Sequence, residues 1–244
     1  MEHFPIIETK ETQPKLLFKV ILMRHEKTDY TGVGSDLTDD GANDALKTGE
    51  KMKSDDFFSE KNSVLSFHSP ASRAEATSDL TLQAAGIPTE NSRSINALGP
   101  SKIFDAEAFD RHIDELEDDP AQIAQAYHTH DFHRNHPEII EPHAKKKERF
   151  YRMMEYFIRS VMKHNGDQTN PSIEAFAVSH FEILTHLIDD VFGIENTGYR
   201  SPLPGEQIKV SAFGMEDQDT ILLKVSFREL EKQVIFNRRT RLIE

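Results

Sequence analysis

The 244-residue sequence contains no cysteine. This absence excludes disulfide bonds, cysteine-ligated metal sites and thiol nucleophiles, and it is consistent with a cytoplasmic protein. Long apolar runs are also missing, since no stretch approaches the roughly 20 residues that a membrane-spanning helix needs. The segment from Met1 to Lys15 mixes charged and polar residues and lacks the apolar centre of a signal peptide. We therefore expect a cytoplasmic protein without a membrane partner.

Positive charge is scarce, because 29 Lys and Arg residues stand against 42 Asp and Glu residues, for a formal net charge of −13. A nucleic-acid backbone calls for clustered cationic side chains, so this balance argues against a nucleic-acid partner. The basic tail from Arg238 to Arg241 is interpreted as a charged surface end. An anionic substrate would need a local positive site that works against the field of the whole chain.

The sequence does contain an alternation of strand and helix patterns. Short apolar runs predict buried strands, apolar residues at helical spacing predict helices, and two final segments predict a hairpin. The predicted strands are Leu16–Met23, Val64–Phe67 and Glu174–Ser179. The predicted helices are Ala42–Lys53 with Thr38 as cap, Ser72–Ala85, Ala106–Leu116, Pro120–Tyr127, Glu148–Lys163 and Phe181–Phe192, and the hairpin joins Gln207–Phe213 to Thr220–Phe227.

Strands that alternate with helices predict an α/β fold, here a three-layer α/β/α sandwich around a mostly parallel central sheet. We expect residues 1–244 to form a single domain. In this domain the segment 101–165 is expected to be a helical insertion that covers the edge of the sheet where the active site lies. The run Lys145–Lys147 is interpreted as a solvated helix start.

Three predicted strands end in residues that are suited to phosphate. Arg24 and His25 follow the first, Ser69 follows the second with Arg73 one helical turn further on, and His180 follows the third. Ligands of open α/β sheets bind beyond the carboxyl ends of the strands, where helix N-termini also offer free N–H groups. These residues are therefore expected to meet at one edge.

Four blocks resemble, in order, the motifs of the histidine phosphatase superfamily, also called phosphoglycerate mutase-like. The run Leu22–Thr28 resembles Arg-His-Gly-x-Thr, Asp36–Gly41 resembles Pro-Leu-Thr-x-x-Gly, Phe67–Thr77 resembles Ser-Pro-x-x-Arg-Ala-x-x-Thr, and Ala177–His180 resembles the second histidine motif. A lone Arg-His pair is weak evidence, whereas four ordered blocks over most of the chain are specific.

The resemblance implies roles for these residues. His25 would be the nucleophile that carries the phosphoryl group, neutral at the attacking nitrogen while a backbone acceptor holds the other nitrogen. Arg24 and Arg73 would bind the phosphate oxygens, and His180 would stabilise the transferring group. Water would then hydrolyse the phosphohistidine, with no cofactor and no metal. The substrate would be a small phosphorylated molecule or a phosphoprotein.

Two hydroxyl residues have two interpretations each. Ser69 is either a helix cap or a hydroxyl of the substrate pocket, and Thr28 is either a pocket hydroxyl or a turn residue. Both are kept as candidate substrate-binding residues.

The sequence departs from the family pattern at three places. Glu26 replaces the glycine after the first histidine, and it should repel a phosphate unless it turns away or pairs with a cation. Phe181 and Glu182 replace the glycine pair after the second histidine. The usual glutamate that protonates the leaving group is missing from Ser94–Pro100, whose Leu-x-Pro character resembles the short bacterial phosphohistidine phosphatases. Asp105, Glu107 and Glu182 are the candidate substitutes.

Five histidines between the third and fourth strands raise the question of a metal site: His128, His130, His133, His136 and His143. Their spacing matches no compact ligand motif, and the neighbouring charges indicate a solvated region. We therefore expect no metal there.

The sequence thus predicts a phosphatase that acts on a phosphomonoester or a phosphoamidate. A mutase-type phosphotransferase shares every one of these residues and stays an alternative. A descendant that only binds phosphorylated ligands is a second alternative, favoured by Glu26 and the missing acid but disfavoured by the intact nucleophile.

Overall fold

The computed structural model describes residues 14–29, 36–59, 64–90, 92–115, 135–164, 173–193, 201–215, 217 and 219–244. Its strands are β1 Lys15–Arg24, β2 Leu65–His68, β3 Arg93–Ser94, β4 Ile173–Ser179, β5 Gln207–Gly214, β6 Thr220–Phe227, β7 Leu230–Asn237 and β8 Leu242–Ile243. Within the same residues the helices are α1 Asp39–Lys53, α2 Ser72–Ala85, α3 Ala106–Asp114, α4 His143–His164 and α5 Phe181–Phe192.

The strands form one sheet in the order β3-β2-β4-β1-β5-β6-β7-β8. The pairs β3–β2, β2–β4 and β4–β1 are parallel, and the pairs from β1–β5 to β7–β8 are antiparallel. Only β5 and β7 consequently run against the other strands. The predicted α/β fold with a mostly, but not wholly, parallel sheet is confirmed.

The alternation of side chains along β1 builds the three layers, because neighbouring residues of a strand point to opposite faces. Val20 and Leu22 belong to the apolar cluster that includes α4 and α5, whereas Ile21 and Met23 belong to the cluster that includes α1 and α2. Both clusters are buried, and each covers one face of the sheet.

Local signals set the ends of the helices that follow the motif blocks. The Thr38 hydroxyl accepts a hydrogen bond from Gly41 N at 2.9 Å and caps α1, as the sequence predicts. Helix α2 ends at Gly86, whose φ of 73° is the left-handed conformation that glycine adopts without strain.

Several elements differ from the sequence-based expectations. Helix α4 begins at His143 rather than Glu148, and strands β3, β7 and β8 were not predicted. Strand β7 buries only Val234 and Phe236, with Leu230 partly buried at its start, so its apolar signal is weak. The predicted helix Pro120–Tyr127 lies outside the described residues.

The interpretation of Lys146 as a solvated residue is wrong. Its side chain is 0% exposed, and Nζ donates to Ser101 Oγ at 3.0 Å. Burial lowers the pKa of Lys146 to about 8, although the charges of Glu182 and Glu141 raise it. Of its two neighbours, Lys145 is solvated as expected, with 71% of its side chain exposed. Lys147 is 30% exposed and pairs with Asp190 at 2.7 Å.

Within the part of the chain that the structure describes, no helix is long and apolar enough to cross a membrane.

Candidate active site

The parallel strands β2, β4 and β1 are neighbours in the sheet and bring the three motif blocks to one edge. His25 N donates to Ser179 O at 2.9 Å, and Ser69 N donates to Val178 O at 2.9 Å. These bonds extend the sheet by one residue beyond β1 and β2. The residues that follow each strand therefore start from fixed positions at the same edge.

His25 is 2% exposed, and its tautomer follows from its contacts. Its Nδ1 lies 2.7 Å from Glu26 O, and a carbonyl can only accept, so Nδ1 carries the hydrogen. The Nε2 atom then accepts from Arg73 Nε at 3.3 Å. A neutral imidazole with its lone pair on Nε2 faces the guanidinium, which is the state that the resemblance implies for a nucleophile.

The same guanidinium also contacts the second histidine. Arg73 Nη2 donates to His180 Nδ1 at 3.3 Å, which leaves the hydrogen of His180 on Nε2. That Nε2 donates to Ser69 Oγ at 2.8 Å. The rings of His25 and His180 lie 4.9 Å apart, centroid to centroid, at an angle of 64°. Four of the predicted site residues are thus in mutual contact.

Burial and neighbouring cations keep both imidazoles neutral. The pKa of His25 is lowered to about 3, first by burial, then because protonation of both neighbouring imidazoles, His25 and His180, is unfavourable, and further by the charge of Arg73. The pKa of His180 is lowered well below its usual value, again first by burial and then by Arg73 and Arg24.

These pKa shifts give a sign for stability. Because the native state keeps the histidines neutral while the unfolded chain protonates them near pH 6.5, the free energy of unfolding decreases as the pH falls from about 6.5 towards 3. The His25→Asn variant should lose part of this dependence, by about 1.4 kcal/mol per pH unit. Urea denaturation of both proteins at pH 7.5, 6.0 and 5.0 gives the free energy of unfolding at each pH. An equal dependence of this free energy on pH in the two proteins would contradict a neutral buried His25.

Arg24 lies at the same strand end, but other partners hold its guanidinium. Nη1 donates to Pro202 O at 2.8 Å, and the guanidinium carbon lies 4.9 Å from the centroid of the Phe181 ring. Its Nε is buried without a partner among the described residues. The charge of Arg24 therefore acts on both histidines, although no hydrogen bond joins them in the described residues. Its Nε is the donor that has no partner there.

Ser69 does not cap α2, whose N-cap is Ala71 without a side-chain cap hydrogen bond, and its role as a pocket hydroxyl stays a prediction. Its Oγ accepts from Ala71 N at 3.2 Å, beside the start of α2, and it also accepts from His180. Thr28 forms a bridge with Leu37, and its Oγ1 is buried without a partner in the described part of the chain. The structure does not bring Thr28 into contact with the histidines.

The three candidate acids lie apart from this cluster. Asp105 caps α3 by accepting from Ala108 N at 3.0 Å, and Glu107 pairs with Arg111 at 2.8 Å on the surface of that helix. Glu182 is buried, and its Oε1 accepts from Ser101 N at 3.1 Å. Each carboxylate therefore has a structural partner.

Sequence reasoning missed Arg149 on α4. Its guanidinium donates to the carbonyl oxygens of Asn96, Gly99 and Pro100 at 2.7, 3.1 and 3.2 Å, and to Glu141 Oε2 at 2.8 Å. Its charge also lowers the pKa of His180. Arg149 thus places a cation on the segment that lacks the usual acid, and no local pattern in the sequence signals this.

A cavity of about 560 Å³ opens beside the same segment. It is lined by Ala97 and by side chains of α4 and its approach, chiefly Glu141, Lys145, Glu148, Arg149 and Arg152. The cavity combines cations with carboxylates, and its lining includes none of the residues that contact the two histidines.

Of the five histidines considered for a metal site, His128, His130 and His133 lie outside the described residues. His136 Nδ1 lies 3.3 Å from Glu138, and His143 packs edge-on against the ring of His186. In the described ranges, no group of three or more His, Asp or Glu side chains is placed to hold a metal ion.

Residues 20–227 match the model of the histidine phosphatase superfamily, branch 1, which is more than half of the chain. The protein belongs to this superfamily. No curated protein matches the chain at a significant level.

Solved structures share the fold over nearly the whole chain. Mycobacterial hydrolase 2 has 15% identity and a TM-score of 0.61, over 89% of this chain and 92% of that chain. A mycobacterial glucosyl-3-phosphoglycerate phosphatase with inorganic phosphate has 14% identity and a TM-score of 0.60, over 87% and 97%. The phosphoglycerate mutase from Bacillus anthracis str. Sterne has 16% identity and a TM-score of 0.61, over 83% and 90%. At these identities the likeness establishes the fold.

Proposed function

We propose that this protein is a phosphatase that hydrolyses a phosphomonoester or a phosphoamidate through a phosphohistidine on His25. The observation that carries the proposal is the neutral, buried His25, whose Nε2 lone pair faces the Arg73 guanidinium at 3.3 Å. A ligand that only bound here would gain nothing from a nucleophile held in one tautomer.

In the first step, Nε2 of His25 forms a bond to phosphorus while the bond from phosphorus to the leaving group breaks. The electron pair of that bond departs with the leaving group. Arg73, Arg24 and His180 would stabilise the charge on the phosphoryl oxygens. Arg73 contacts both histidines, and the charge of Arg24 acts on both, which supports this assignment. In the second step, the oxygen of a water molecule forms a bond to phosphorus while the bond between phosphorus and Nε2 breaks. The electron pair of that bond returns to Nε2 and restores His25, and the proton of the water passes to phosphate or to solvent.

The proposal assigns the positive charge of the reaction to arginine and histidine, without a metal or a cofactor. Ser69 and Thr28 would add hydroxyl contacts to the phosphoryl group, since each has hydrogen-bonding capacity within or beside the site. Residues 101–165 would cover the active edge, with Arg149 joining α4 to the Asn96–Pro100 segment. The chain without cysteine would work in the cytoplasm.

Incubation with a chromogenic aryl phosphate tests the proposal. We expect release of inorganic phosphate, together with a phosphoryl group on the protein that is labile to acid and stable to base. Absence of both products would contradict the proposal and leave a binding protein. Transfer to an acceptor hydroxyl without release of phosphate would indicate the mutase.

A further inference from the structure

Glu26 occupies the position after the nucleophile where the family pattern has glycine, and it is 2% exposed. Its backbone belongs to the site: the carbonyl oxygen accepts from His25 Nδ1 at 2.7 Å, and the amide donates to Thr77 Oγ1 at 3.1 Å. Thr77 in turn donates to Arg73 O at 2.8 Å. The backbone of Glu26 therefore fixes the nucleophile, and the question is what its carboxyl does.

The carboxyl of Glu26 does not pair with Lys27, which bonds instead to Asp44 at 2.9 Å. It lies against Gly205, where a Cβ atom would overlap Oε1 of Glu26. Gly205 also has a φ of 77°, which favours glycine. The absence of a side chain at position 205 thus makes the room that the carboxyl occupies.

Gly205 is part of the Pro202–Glu206 segment, which holds Arg24. Pro202 O accepts a hydrogen bond from Arg24 Nη1. Two backbone hydrogen bonds also join the segment to Arg24: Gly205 N donates to Arg24 O at 3.2 Å, and Arg24 N donates to Glu206 O at 3.1 Å. The Glu206 carboxylate is held by Arg228 at 2.8 Å. A displacement of Gly205 would therefore move the acceptor of the Arg24 guanidinium.

We propose that Glu26 is a positioning residue, whose carboxyl packs on Gly205, fixes the Pro202–Glu206 segment and thereby directs the Arg24 guanidinium to the oxyanion site. This inference rests on the proposed function, since it takes Arg24 to bind phosphoryl oxygens. In this role the carboxyl of Glu26 contacts Gly205 rather than the bound anion, although it lies beside an anion-binding site.

The positioning depends on pH because the carboxyl titrates near neutrality. Burial and, after it, the charge of Asp44 on α1 raise the pKa of Glu26 to about 7, against the charge and backbone hydrogen bond of Lys27 and the charge of Arg24, which lower it. From α2 its neighbour is the uncharged Thr77, and the Glu206 carboxylate of the Pro202–Glu206 segment is paired with Arg228. Because the carboxyl is packed against Gly205, we expect its ionisation above pH 7 to weaken this packing and to lower the affinity for oxyanions.

Calorimetric titration of the full chain with sulfate tests the positioning role of Glu26. Sulfate is suitable because it keeps its charge between pH 6 and pH 8. The Gly205→Ala variant should bind sulfate about tenfold more weakly than the wild type. The matched control is Gly86→Ala, since Gly86 has a φ of 73° and nothing within 4 Å of the added methyl group. It should bind sulfate as the wild type does. Adding Glu26→Gly to Gly205→Ala should restore most of the affinity, because the alanine methyl then has room.

The Glu26→Gln variant tests the pH dependence and serves if Gly205→Ala does not fold. Wild-type affinity for sulfate should fall about tenfold from pH 6 to pH 8, and that of Glu26→Gln should fall much less. If Gly205→Ala matches Gly86→Ala, or if the two pH profiles coincide, the inference is overturned while the phosphatase proposal stands. Failure of the wild type to bind sulfate or to form a phosphoenzyme would overturn both.

Discussion

Replacing His25 with alanine should abolish turnover of an aryl phosphate and the acid-labile phosphoryl group on the protein. The reason is that Nε2 of this residue is the only protein group in the proposed mechanism that forms a bond to phosphorus. Loss of a nucleophile from a site whose parts act together typically costs roughly 10⁴-fold or more in rate. The measurements are steady-state release of phosphate and labelling of the protein with radioactive phosphate.

Two further variants show that such a loss is specific. His25→Asn retains a donor for Glu26 O and so guards against a folding defect that the alanine cavity might cause in the site. His112→Ala, on α3, removes a histidine that pairs with Glu115 on the surface and should leave turnover unchanged. Circular dichroism checks the fold of each variant. Turnover that persists in both His25 variants would exclude the phosphohistidine mechanism.

Activity should depend steeply on the acidity of the leaving group. A positioned acid typically contributes roughly 10² to 10⁴ in rate, and none of the three candidate carboxylates contacts the two histidines. Aryl phosphates and phosphoamidates should therefore be cleaved far better than sugar or glycerol phosphates. A series of phosphate esters with graded leaving-group pKa values measures this dependence in kcat/KM.

Three amide variants assign the acid if the dependence is shallow. Asp105→Asn and Glu107→Gln serve as controls for Glu182→Gln, because Asp105 and Glu107 have partners on the exposed α3, whereas Glu182 is buried two residues after His180. A shallow dependence that steepens only in Glu182→Gln would assign the acid to Glu182. A shallow dependence that no variant alters would mean that the acid is elsewhere, for example at Glu141 or Glu148 in the cavity beside Ala97.

The sequence by itself determined the elements whose signals are local. The apolar runs before His25, Ser69 and His180 specify strands, and the Thr38 cap and Gly86 specify helix ends, because each signal acts over only a few residues. Parallel strands must place their carboxyl ends together, so convergence of the histidines at one edge also followed from the order of the blocks.

Only the tertiary structure decided which distant groups meet. Three contacts show this, and they join residues that lie from 8 to 179 positions apart in the sequence. Lys146 is buried against Ser101, Arg149 donates to four acceptors, and the Glu26 carboxyl packs on Gly205. No periodicity records such a pair, since charged residues on a helix look solvated until the opposing surface is known. The tautomer of His25 was implied by resemblance, but its low pKa depends on how completely the packed layers exclude water, and that is a property of the whole fold.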